Sequence, residues 1–149
     1  MKIDKDLCER FPAVLAWKLL HEKVKLPDQT EFEYEPIQVY RAVERKKEDY
    51  TEVNQTDFYS YYELNKFPKN KKIRGKGDIS KDPHYYGVSS FTKREIVEQL
   101  MKFPNPRKKM AEGYVYQEGG PQETNWDTEH VCWWLYRDRK VAGFQLSEE

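Results

Sequence analysis

The segment Glu129-His130-Val131-Cys132-Trp133-Trp134-Leu135-Tyr136 constrains this chain more than any other. Side chains of an extended strand alternate between two faces. Val131, Trp133 and Leu135 therefore share one side, and His130, Cys132, Trp134 and Tyr136 share the other. Both sides are largely apolar, so the strand needs cover above and below. A chain of 149 residues supplies that cover within one domain. Its hydrophobic fraction is only 38%, but it holds 11 tyrosines and four tryptophans. Such a core is built from rings that keep a polar handle at the edge.

The other elements follow from spacing. Leu7, Phe11, Val14, Leu15, Leu19 and Leu20 recur at helical intervals and predict a helix over 4–25, ended by Pro27. Pro12 fits its first turn if the helix starts near Phe11, which makes 4–10 a separate turn. Ile37 to Val43 reads as a strand with Ile37, Val39 and Arg41 on one face. Residues 57–63 fit a strand by their aromatics or a short helix capped by Thr56 or Asp57. Residues 84–91 read as a strand running into a helix, with Thr92 and Glu95 as a capping box. That helix should bury Ile96, Val97, Leu100 and either Met101 or Phe103, and Pro104 and Pro106 stop it. Residues 111–117 and 129–136 are further strands, and 141–146 returns as an antiparallel partner of the latter. The expected fold is α+β: a single domain over 1–149, with a mixed or mostly antiparallel sheet of about five to six strands and two main helices. Residues 1–27 form an N-terminal helical segment, and 65–82 a flexible basic loop.

Charge narrows the function. The 26 basic and 26 acidic residues cancel, which argues against general nucleic-acid binding. Basic residues concentrate only in the 65–82 loop, where Lys66, Lys69, Lys71, Lys72, Arg74, Lys76 and Lys81 face Asp78 and Asp82. This reads as a solvated loop, or as an anion-attracting lid or partner contact. No apolar run approaches the roughly 20 residues of a membrane span. The first residues lack a secretory pattern, so the expected setting is cytoplasmic, with Cys8 and Cys132 as buried reduced thiols. His21, His84 and His130 are isolated, and no metal-ligand spacing, phosphate loop or nucleophile elbow is present.

A scattered polar set remains on strand ends: Arg41, Ser89, Ser90, Glu129 and His130. Each has a structural reading. Arg41 pairs with a carboxylate, the serines precede and cap a helix, Glu129 starts a strand, and His130 is a hydrogen-bonded, half-buried ring.

Val39-Tyr40-Arg41-Ala42, then Asp57-Phe58-x-Ser60, then Tyr86-Gly87-Val88-Ser89-Ser90-Phe91 before a helix, resembles a group of small uncharacterised bacterial proteins. That group also closes with a His-x-x-Trp-Trp block, as His130 to Trp134 does here. The resemblance spans Ile37 to Tyr136. More distantly, the same order resembles ADP-ribosyltransferase-like domains. That resemblance implies NAD as the cofactor and Arg41 on its pyrophosphate, a contact suited to a bidentate guanidinium. It further implies Ser89 and Ser90 at the nicotinamide ribose, Tyr86 (or Tyr85) stacked on nicotinamide, and His130 lining the site. Glu129 would stabilise the positive charge that develops on the sugar. The usual Ser-Thr-Ser and Glu-x-Glu forms are absent.

Three functions fit. The first is a non-catalytic protein-interaction module, because Tyr and Trp dominate binding surfaces. The second is an NAD-binding ADP-ribosyltransferase-like enzyme or NAD glycohydrolase using Arg41, Ser89 and Glu129. The third is a nucleotide or RNA binder that stacks bases on Tyr59, Tyr61, Tyr62, Tyr85 and Tyr86 beside the basic loop.

Overall fold

The computed structural model describes residues 4–60, 62–64, 72–73, 77–102 and 106–147. The chain opens with α1 (Lys5–Cys8) and α2 (Ala13–Leu20). Proline has no N–H to give, so Pro12 sits at the N-cap of α2 and splits the 4–25 helix in two. The helix also ends before Pro27. Glu22 adopts a left-handed φ of 57°, and the N–H groups of Glu22 and Lys23 turn back to the carbonyls of Leu19 and Lys18. This is a Schellman ending.

Six strands form one sheet in the order β6-β7-β4-β1-β5-β8. They are β1 (Ile37–Glu44), β4 (Val88–Phe91), β5 (Lys108–Val115), β6 (Gln122–Asn125), β7 (His130–Trp133) and β8 (Gln145–Leu146). Every pairing in it is antiparallel. A separate two-stranded ribbon joins β2 (Lys72–Ile73) to β3 (Gly77–Asp78). With α3 (Arg94–Leu100), this makes an α+β fold.

Alternation along the strands divides the core. One face carries Val39, Val88, Val115, Val131 and Trp133, covered by Phe58, Leu135, Val141 and Phe144. The opposite face is covered twice. Cys8, Phe11, Leu15 and Leu19 pack on Tyr85, Tyr86, Cys132, Trp134 and Tyr136. Farther along, Val97, Met101 and Met110 pack with Tyr40, Ala42 and Phe91. Both sides of the 129–136 segment are thus buried, as its composition requires, although the regular strand stops at Trp133.

Several expectations need correction. Residues 83–86 form a 3-10 turn rather than strand, because Pro83 follows Asp82, whose carboxylate accepts the His84 N–H at 2.9 Å. Residues 55–57 form another, capped by Asn54 and not by Thr56 or Asp57. Lys93 is the N-cap of α3, without a side-chain bond. Thr92 lies one residue too early for a capping box and turns its hydroxyl to Glu129. Leu100 points outward, since Val97 and Met101, four apart, already face the sheet. Phe103, Tyr61 and most of the 65–82 loop lie outside the described residues. Residues 141–146 do not return beside β7. They cross the Trp133 face, and β8 pairs with β5 instead. Gly113 permits this, because a Cβ there would stand 2.6 Å from the Phe144 ring. Strand β6 was not expected, because Gln122-Glu123-Thr124-Asn125 shows no apolar alternation.

Candidate functional site

Arg41 lies in the middle of β1, between β4 and β5. Its guanidinium donates to the Ser89 carbonyl at 2.5 Å and to the Asp57 carbonyl at 3.1 Å, and it lies 5.0 Å above the Phe58 ring. It bolts the 55–60 segment onto the sheet. Two other arginines hold the same segment. Arg45 grips the Asp57 carboxylate through two bonds of 2.7 Å, and Arg139 donates to the Phe58 carbonyl at 2.6 Å while pairing with Glu63. Burial pushes the Asp57 carboxyl upward. The bonds from Arg45 and the Asn54 N–H outweigh it and hold that carboxyl below the ordinary range.

The strand pleat separates the two serines. Ser90, 4% exposed, shares its face with Arg41, Val88 and Val131. Ser89 points to the other face, where its hydroxyl oxygen lies 2.7 Å from His130 Nε2. Arg41 therefore meets Ser89 only through the main chain. Glu129, with a left-handed φ of 64°, accepts from the Thr92 hydroxyl, and its carbonyl accepts the Thr92 N–H at 2.9 Å. Tyr86 is buried in the α2 cluster and donates its hydroxyl to the Ser80 carbonyl at 2.7 Å. Of the predicted set, the structure joins Ser89 directly to His130. It leaves the Arg41 side chain on the opposite side of the sheet.

A polar row beside Ser89 was missed by sequence reading. Ser89 and Glu123 are both register partners of Cys132, one on each flank. Side chains of partnered residues share a face, so Ser89, Cys132 and Glu123 form a row across β4, β7 and β6. Glu123 Oε1 lies 2.7 Å from His84 Nε2, and Asp82 Oδ1 lies 3.0 Å from His84 Nδ1. The His84 ring packs against Trp134 at 5.9 Å. His130 packs edge-on to Phe91 at 5.1 Å. Cys132 is 2% exposed beneath α1 and α2, and burial drives its thiol well above the ordinary range, reinforced by the Glu123 and Asp82 charges. Glu123 lies 39 residues from His84, too far for the sequence to signal the pair, and nothing marked β6 as a strand. Among the described residues, no group of three or more His, Cys, Asp and Glu is placed to hold a metal ion.

Large apolar side chains also stand outside the core. Trp126 is 65% exposed at the β6–β7 turn, where the Asn125 side chain accepts the Asp127 and Thr128 N–H groups. Trp17 is 52% exposed on α2 and stacks on His21 at 4.3 Å. No helix among the described residues is long and apolar enough to cross a membrane. Compared with protein-family models, with curated proteins and with solved structures, the chain matches none.

Proposed function

We propose that this protein is a cytoplasmic interaction module that engages another protein through aromatic side chains kept outside its core. The observation that carries this reading is Trp126, an exposed indole on a turn braced by hydrogen bonds. Burying a large apolar side chain is worth about 1.5–3 kcal/mol. A braced indole offers that gain to a partner at little ordering cost. Tryptophans in such positions dominate protein interfaces.

The NAD-binding reading needs a guanidinium turned toward a pyrophosphate. Both terminal nitrogens of Arg41 donate to main-chain carbonyls, which gives that reading less support. The nucleotide or RNA reading leans on Tyr85 and Tyr86, both under 10% exposed, and on a basic loop largely outside the described residues.

The test compares wild type with Trp126→Ala as bait in an extract of the native cell. Wild type should retain a partner in fixed stoichiometry. The variant should lose it while keeping its stability within about 0.5 kcal/mol, since the residue is exposed. A partner held equally by the variant, or no partner for either, refutes the reading. Binding of NAD by calorimetry, abolished in Arg41→Ala, would favour the enzyme instead.

A further inference from the structure

We propose that Ser89 and His130 form a nucleophile–base pair that accepts the acyl group of a small uncharged ester. This goes beyond the interaction reading and does not depend on it. A serine hydroxyl is a weak nucleophile until a base takes its proton, and that base must lie about 2.6–3.2 Å away. His130 Nε2 lies 2.7 Å from Ser89 Oγ.

The pair is rigidly mounted. β4 and β7 are adjacent strands, and four consecutive register pairs join them. Phe91 packs edge-on to the imidazole and fixes its plane. Sites built on strands hold geometry better than sites on loops. Ser89 and His130 are half-buried, so a small reagent can reach them while bulk water is partly excluded.

The surroundings choose the substrate class. Glu123 shares the Ser89 face across Cys132, and Asp82 joins it through His84. Residues 110–136 contain five acids and neither lysine nor arginine. An anionic substrate would meet like charge from these carboxylates, whereas an uncharged ester avoids that penalty. The half-buried Phe91 ring, edge-on to His130, adds aromatic surface suited to a short acyl chain. Cys132 is sealed under α1 and α2 and does not compete as the nucleophile.

In the first step Ser89 Oγ bonds to the carbonyl carbon and its proton passes to His130 Nε2. The carbon–oxygen bond to the leaving alcohol breaks, and that alcohol takes the proton from Nε2. Water then attacks the acyl carbon, giving a proton to Nε2. The acid leaves as the carbon–Oγ bond breaks, and the proton returns to Oγ.

The experiment treats the full chain with an uncharged alkyl fluorophosphonate. Oγ–P forms, P–F breaks, fluoride leaves and His130 takes the serine proton. Peptide mass mapping of wild type should place a single adduct on Ser89. A short uncharged butyrate ester should slow the labelling, and a succinate monoester should not. Ser89→Ala should take up no label. His130→Gln should slow labelling by about 100-fold or more. No adduct on wild type, an adduct on another residue, equal labelling of His130→Gln, or equal protection by both esters overturns the proposal. The wild-type map and the ester comparison decide it even if a variant fails to fold.

Discussion

Gly120 has φ 142° and ψ 171°, a region closed to residues with a side chain. A Cβ there would also press into the Trp134 carbonyl. The Gly120 carbonyl, in turn, accepts the Tyr34 hydroxyl at 2.6 Å and the Trp133 indole N–H at 3.1 Å. Strain, clash and two displaced partners fall on one residue. Gly120→Ala is expected to lower unfolding free energy by about 3 kcal/mol or more, read from urea unfolding followed by tryptophan fluorescence. A loss under about 1 kcal/mol would show that the turn rebuilds without Gly120. Residue identity announces such a demand only partly. Gly119-Gly120-Pro121 reads as a turn in the sequence, but nothing there says which carbonyl the second glycine must clear. Arg41 is similar. Its place on β1 was legible from Ile37 and Val39, whereas its partners, two carbonyls brought in by other segments, were not. Ser89 and His130 could each be named from the sequence. Their meeting depends on register, which local composition does not encode.

The 45–57 segment has no hydrophobic period, and it is held by an ion pair instead. Arg45 donates to the carbonyls of Glu44, Thr51 and Glu52 as well as to both Asp57 oxygens, and both partners are under 10% exposed. Removing one member of a buried pair leaves the other charged and unmatched, typically at about 3–5 kcal/mol. Asp57→Asn should destabilise by about 3 kcal/mol near neutral pH, less if the amide keeps one bond. The sign of the acid response follows from the lowered Asp57 carboxyl. A carboxyl held below its unfolded value, about 3.9, stabilises the fold above that pH. Its contribution fades as pH falls through the depressed native value. The stability gap between wild type and Asp57→Asn should therefore be full at neutral pH and shrink below about pH 4, as urea midpoints across pH would show. A gap independent of pH would mean that the pair's charge contributes nothing. This clamp was hidden because Arg45 and Asp57 sit in a polar run that resembles any solvated loop. By contrast β1, β5 and β7 were readable, since alternation or dense apolar composition marks a strand wherever one face must be buried.

The two cysteines lie near opposite ends of the chain, yet they meet in one cluster because α1 and α2 pack on the β7 face. Cys8 is 1% exposed and Cys132 is 2% exposed, and neither forms a disulfide. Their placement follows the composition of 129–136. A strand apolar on both sides demands a second cover, and Phe11, Leu15 and Leu19 supply it. The direction in which the C-terminal segment travels was not readable, since pairing with β5 or with β7 satisfies the same apolar residues. What separates the choices is the missing side chain of Gly113, which admits the Phe144 ring. The helical cover makes a measurable claim. A thiol reacts as its thiolate, and burial raises both groups, Cys132 most strongly. Neither should react with a disulfide reagent such as dithionitrobenzoate in the native protein, whereas both should react at once in denaturant. If α1 and α2 are integral to the fold, labelling should proceed at the rate of global unfolding and take both thiols together. Fast labelling of Cys8 alone would mean that α1 lifts by itself. Fast labelling of both while the sheet stays intact by circular dichroism would mean that the helical cover detaches and leaves Trp134 open to solvent.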